Sequence, residues 1–228
     1  MTVSLDDSAM STVYDTLAHR ALSLFHGDRI VIAIAGMPGS GKTTLAARVA
    51  QLINKISGKD IAEVVPMDGF HLTRAQLDQF PDPKEAHFRR GAPFTFDGQG
   101  VVDMVKHLRA GGQVAVPTFD HKVKDPVPDG LIVPSERKII LIEGLYLLLE
   151  DDPWCQIAQY VDDKWLITVE EDLARKRVAK RHVAAGIATS LEDGLSRFDG
   201  NDAANGRLVL EKSSQPDVII RSIEECPK

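Results

Sequence analysis

The segment Gly36-Met37-Pro38-Gly39-Ser40-Gly41-Lys42-Thr43 fits the phosphate-loop pattern G-x-x-x-x-G-K-[ST], and its flanks restrict the chain to few folds. Before it, Ile30 to Ala35 is short, apolar and rich in β-branched residues. After it, Thr44 to Ile53 places Leu45, Val49 and Leu52 at helical spacing. A buried strand, a glycine turn and a helix follow in order, the opening unit of an α/β sheet. Glycines let successive backbone N–H groups converge on phosphate oxygens, and the helix start adds its positive dipole end. Lys42 would reach the β- and γ-phosphates, and Thr43 would offer its hydroxyl to Mg²⁺. Met37, Pro38, Ser40 and Thr44 complete the expected lining of the nucleotide phosphates. A glycine turn that binds nothing would not account for the full pattern standing between a strand and a helix.

The rest of the chain continues the alternation. Val13, Leu17, Ala21, Leu24 and Phe25 predict a helix within an N-terminal region 1–28. Ala62 to Met67 predicts a second buried strand, beside the phosphate-loop strand, ending in Asp68-Gly69-Phe70-His71. Residues 71–96, broken by Pro81, Pro83, Gly91 and Pro93, have the length of a functional loop, with a short helix near Arg74 to Gln79. Asp97 caps a helix carrying Val101, Val105 and Leu108 that Gly111-Gly112 ends, and Val114 to Val116 begins a short strand. Lys138 to Ile142, closed by Glu143-Gly144, and Trp165 to Val169 are further buried strands. A basic helix from Glu170 to about Ala185, a helical stretch at Leu191 to Phe198 and a strand at Val218 to Ile220 follow. The expected fold is α/β: a parallel sheet sandwiched between helices in one domain, 1–228, with a lid at 170–200. Active groups gather at the carboxyl ends of such strands, so Lys42, Asp68 and Glu143 should share one edge.

Composition narrows the partners. A net charge of −6 argues against broad nucleic-acid binding, which needs a basic surface. The longest near-apolar stretch, Ile139 to Leu149, is interrupted by Glu143 and falls short of the roughly 20 residues of a spanning helix. Two widely separated cysteines, Cys155 and Cys226, and the lack of a charged-then-apolar leader point to a reducing, cytoplasmic setting. The expected partner is a small molecule, and a homodimer stays open as an assembly.

Transfer of a phosphoryl group to a hydroxyl needs a phosphate clamp with metal, a carboxylate to take the proton, and cations over the transferred oxygens. Asp68 can accept a proton and lean toward Mg²⁺, or it can simply make an Asp-Gly turn. Glu143, closing an apolar strand, is costly to bury without a cation or hydrogen bonds, which points to a metal role. Arg175, Lys176, Arg177, Lys180 and Arg181 crowd one helix, and Arg177 and Arg181 share a face. They can close over a nucleotide or form a solvated basic face. Arg89, Arg90, Phe119 and His121 lie on loops and could line an acceptor pocket or be surface residues.

This ordered set resembles the P-loop kinase group of uridine kinase, phosphoribulokinase and bacterial pantothenate kinase over residues 29–221. Met67 to His71 resembles the segment bearing the group's catalytic Asp, which implies Asp68 as base. Arg89-Arg90-Gly91-Ala92-Pro93-Phe94-Thr95-Phe96-Asp97 resembles its R-[RK]-G-x-P-x-[ST]-[FY]-D segment. Val116 to His121 is similar to the V-P-x-Y-x-H acceptor segment of pantothenate kinase, with Phe119 in place of Tyr, and implies that His121 touches the acceptor. Arg175, Arg177 and Arg181 fall in the segment similar to the arginine-bearing lid. Asn201 to Asn205 resembles an N-D-x-x-N element near the adenine, which implies Asn205 at the nucleotide. The chain looks most like a compact branch called nucleoside-kinase-like or fructose-transport-associated. The resemblance implies an ATP- and Mg²⁺-dependent kinase for a sugar, nucleoside or pantothenate-like acceptor. The alternative is a nucleotide-binding switch associated with a transport system; the guanine-reading N-K-x-D element is missing, since Asn54-Lys55 continues as Ile56-Ser57.

Overall fold

A computed structural model describes residues 2–5, 9–120 and 122–224. In chain order the elements are β1 (Val3–Leu5), α1 (Met10–Leu24), β2 (Ile30–Gly36), α2 (Lys42–Ser57) and β3 (Ala62–Pro66). Then come α3 (Arg74–Leu77), α4 (Pro83–Phe88), α5 (Gly98–Ala110), β4 (Val114–Asp120), β5 (Asp125–Val133) and β6 (Ile139–Gly144). The last are β7 (Asp163–Val169), α6 (Glu171–Ala184), α7 (Leu191–Arg197), α8 (Ala203–Lys212) and β8 (Val218–Ser222). His121 and Cys226, both singled out above, lie outside the described residues.

Six strands form a parallel sheet in the order β1-β8-β7-β2-β6-β3. The two-residue period of a strand splits β2 between two cores. Ile30, Ile32 and Ile34 pack with α1 and α2 through Val13, Leu17, Leu45 and Val49. Val31, Ala33 and Ala35 face α5 through Val101, Val105 and Leu108. A sheet covered on both faces reads as continuous apolar runs, which is why β2 and β6 carry no alternation in sequence. Among the described residues no helix is long and apolar enough to cross a membrane.

Three features depart from expectation. The strand ending before Asp68, β3, does not lie beside β2: β6 stands between them. Every residue of β6 is buried, whereas β3 is half-exposed at the sheet edge, so the wholly apolar run takes the central position. The expected short strand at Val114 to Val116 is the start of β4, which pairs antiparallel with the unforeseen β5 and shifts register between Val116 and Thr118. Residues 71–96 are more ordered than a loop, with α3, α4 and a 3-10 turn at Pro93–Thr95. Thr73 and Asp82 cap the two helices through their side chains.

Candidate active site

The phosphate loop joins β2 to α2 with no room to spare. A Cβ on Gly36 would stand 2.6 Å from the Ile167 carbonyl oxygen of β7. Gly39 and Gly41 hold φ of +79° and +91°, a region glycine enters without steric cost. A Cβ on Gly39 would also meet the Ala174 oxygen at 2.6 Å, so α6 packs directly on the loop. Lys42 Nζ donates to the carbonyls of Gly36 at 2.8 Å and Met37 at 3.1 Å. An ammonium has three donors, so one is left over.

The parallel register sets Glu143 opposite Ile34 on one side and Pro66 on the other, so it projects between the phosphate loop and the Asp68 turn. Glu143 is only 8% exposed, and its Oε1 accepts from Thr43 Oγ1 at 3.0 Å. Burial raises its carboxyl above the ordinary range, against the pull of Lys42, while the nearby Asp68 charge adds to the rise. Burial likewise lowers the Lys42 ammonium to about 8, although Glu143 and Asp68 favour its charged form; Arg181 opposes it. Asp68 sits in the 3-10 turn Met67–Phe70 directly after β3. A hydroxyl and two carboxylates make a set of hard oxygen donors. Mg²⁺ typically takes only one or two carboxylates and fills its shell with phosphate and water, so this set fits it.

Lys42, Thr43, Asp68, Arg177, Arg181 and His182 face a common cavity of about 740 Å³ beneath α6. The two cavity-lining arginines of α6 differ in their engagement. Arg177 donates to Ser222 Oγ at 2.9 Å, the Ile223 carbonyl at 2.8 Å and the Gly39 carbonyl at 3.3 Å. The Arg181 side chain makes no hydrogen bond or ion pair among the described residues, and its carbonyl accepts from Ala185 N at 2.9 Å. Arg175 lies outside the lining and forms a bidentate pair with Asp199, both bonds 2.6 Å. His182, which sequence reasoning missed, has Nε2 3.8 Å from Asp202 Oδ2; the only hint was its four-residue spacing from Val178. A smaller cavity of about 210 Å³ opens on the far side of the loop, where Met10 and Tyr14 meet Gly41, Thr44, Arg177 and Ser222.

On the other flank, the Asp68 turn meets the 89–97 segment and β4. His71 Nδ1 lies 2.7 Å from the Asp68 carbonyl oxygen, and its ring packs on Phe96 at 4.0 Å and Phe119 at 4.9 Å. The Arg90 guanidinium stands 5.4 Å over Phe119, pairs with Asp125 at 2.9 Å and donates to the Leu72 carbonyl at 2.8 Å. Arg89 turns away and donates to Asn201 Oδ1 at 3.0 Å. Asn205, 2% exposed, lines neither cavity.

Comparison with known proteins agrees with this geometry. The family model described as Phosphoribulokinase / Uridine kinase matches residues 31–191. A Schizosaccharomyces pombe protein provisionally named a uridine kinase is 37% identical over 98% of this chain and 96% of its own length. The "ATP-dependent kinase YFH7" of Lachancea thermotolerans is 35% identical over 85% of this chain and 65% of its own length, so the chain spans under two thirds of that relative. The crystal structure of a Silicibacter protein provisionally called a fructose transport system kinase superposes with a TM-score of 0.79 at 29% identity, covering 90% of this chain and 98% of that one. Saccharomyces cerevisiae YFH7, at 24% identity, shares the fold with a TM-score of 0.84 over 92% of this chain and 99% of its own. A match that runs from the phosphate-loop strand through the basic helix α6 makes this chain a member of the phosphoribulokinase / uridine kinase family, a small-molecule kinase.

Proposed function

We propose that the chain transfers the terminal phosphoryl group of ATP to a hydroxyl of a sugar, a nucleoside or a pantothenate-like metabolite. One observation carries the proposal: Lys42, Thr43, Asp68 and Arg181 face one cavity whose 740 Å³ suits a nucleotide's phosphates and a small acceptor. The loop N–H groups and the free Lys42 donor hold the phosphates. Thr43 and Glu143, with Asp68 beside them, would hold Mg²⁺, which when bound neutralises charge on the β- and γ-phosphates. Asp68 takes the acceptor proton as its oxygen attacks phosphorus, while Arg181 stabilises charge on the equatorial oxygens. Arg177 supports the loop from the β8 side. Arg90 and Phe119 orient the acceptor, and His121 belongs with them by its place in the chain.

The test is ADP release from Mg·ATP across pantothenate, pyrimidine and purine nucleosides, fructose, ribose, ribulose 5-phosphate and nicotinamide riboside, with Asp68→Asn in parallel. The expected result is release that depends on one acceptor class and falls about 10²- to 10⁴-fold in the variant, with ATP binding kept. Turnover unchanged in Asp68→Asn removes Asp68 as base. ATP turnover indifferent to every acceptor favours a nucleotide-binding switch.

A further inference from the structure

We infer that Asn201 is a positioning residue that fastens the acceptor segment to the lid, placing the 201–205 element on the acceptor side of the site rather than at the purine. The inference rests on the proposed phosphoryl transfer and concerns how its two halves are joined. Asn201 lies in a π-turn, Phe198–Asp202, that links α7 to α8. Single π-turns inside helices concentrate at functional positions, because the widened backbone re-aims a side chain.

Asn201 uses both ends of its amide on one short segment. Its Oδ1 accepts from Arg89 Nε at 3.0 Å, and its Nδ2 donates to the Arg90 carbonyl at 3.0 Å. The same segment is held at its next residue, where the Tyr146 hydroxyl donates to the Gly91 carbonyl. Gly91 adopts φ of +105°, and its N–H donates to the fully buried Thr95 Oγ1 at 2.9 Å. From there the network reaches the proposed base: Leu72 N donates to the Thr95 carbonyl at 2.8 Å, and Asp97 N to the Phe70 carbonyl at 2.8 Å.

The other side of the π-turn grips the lid and the phosphate loop. Phe198 is fully buried among Met37, Ala174 and Val178. Asp202 faces His182 of α6. One turn of chain therefore touches the acceptor segment, the lid helix and the phosphate loop. Room for a base exists elsewhere, in the small cavity beside Gly41 and Thr44, which neither Asn201 nor Asn205 lines.

The test uses Asn201→Ala and Asn201→Asp, the latter keeping an acceptor for Arg89 but losing the donor to Arg90. Affinity for the non-hydrolysable analogue adenylyl imidodiphosphate should stay within about twofold in both. Amide exchange across residues 89–96 should accelerate about tenfold in the alanine variant and less in the aspartate variant. For whichever probe in the panel is phosphorylated, its KM should rise about tenfold with the ATP KM unchanged. A tenfold loss of analogue affinity with exchange at 89–96 unchanged would return Asn201 to the purine side. Faster exchange spread equally over β2 and β6 would reduce it to general scaffolding. Both binding and exchange arms are read without turnover, so they stand apart from the fate of Asp68 as base.

Discussion

At the scale of single residues, local pattern and tertiary environment contribute separately. The roles available to Lys42 and Thr43 follow from their places in the loop. Glu143 is different: only the sheet register brings its carboxylate to Thr43, and burial, with the nearby Asp68 charge, raises its affinity for a proton. Four-residue spacing put Arg177 and Arg181 on one face, and both do line the cavity, but Arg177 is bonded to β8 and the loop, whereas the Arg181 guanidinium has no hydrogen-bond partner among the described residues. Asp202 supplies a pH-dependent prediction. Burial raises its carboxyl from 3.8 to about 6, and Arg181 offsets only part of this. The folded state therefore holds the proton more tightly, so the favourable contribution is complete below 3.8 and lost as pH rises through about 6. Asp202→Asn should stabilise the protein by about 1–3 kcal/mol at pH 7.5 and by nothing at pH 3.5. Thermal melts at the two pH values decide it; equal shifts at both would show that the charge is not the cause.

At the scale of elements, the turn after β3 shows how a strand end becomes a site. A Cβ on Gly69 would come within 1.9 Å of the Pro117 carbonyl oxygen, so the Asp68 turn rests backbone to backbone on β4. That contact was invisible in sequence, where Asp-Gly is also an ordinary turn. Gly69→Ala must push the turn off the hairpin. Turnover should fall at least about 10²-fold while nucleotide affinity changes little, the signature of a displaced group that is not itself part of the phosphate clamp. Parallel ADP-release and analogue-binding measurements check it, and a joint loss of both would point to collapse of the whole edge. The hairpin itself was half legible: Val114 to Val116 announced β4, but Pro126, Pro128 and Gly130 disguised β5 as loop.

Across the whole molecule, α1 is locked to the sheet by a buried polar joint. Arg20 donates to both oxygens of Asp163, at 2.6 and 2.8 Å, and the Trp165 indole N–H donates to the same carboxylate at 2.6 Å. Asp163 is 2% exposed, so removing it strands a cation and a buried donor. Asp163→Ala should cost about 3–5 kcal/mol, which for a chain of this size lowers the melting temperature by roughly 6–20 °C. The folded fraction should keep its turnover, since the joint lies at the opposite end of β7 from the phosphate loop. A melt shifted by less than a degree or two would assign the pair no net role in stability.

The sequence by itself determined the α/β class, the phosphate loop and the acids that close two strands, because each is encoded over a few consecutive residues whose spacing matches a strand, a turn or a helix. Apolar runs also announced the buried strands. Their lateral order was a different matter: β6 displaced β3 from the side of β2, since neighbours in a sheet are chosen by how completely each strand can be buried, not by adjacency in the chain. The partners of Arg89, Arg175 and Asn205 were likewise a tertiary outcome. These are long or amide side chains whose polar ends bond to whatever group packing delivers, here Asn201 for Arg89, Asp199 for Arg175 and again Asn201 for Asn205.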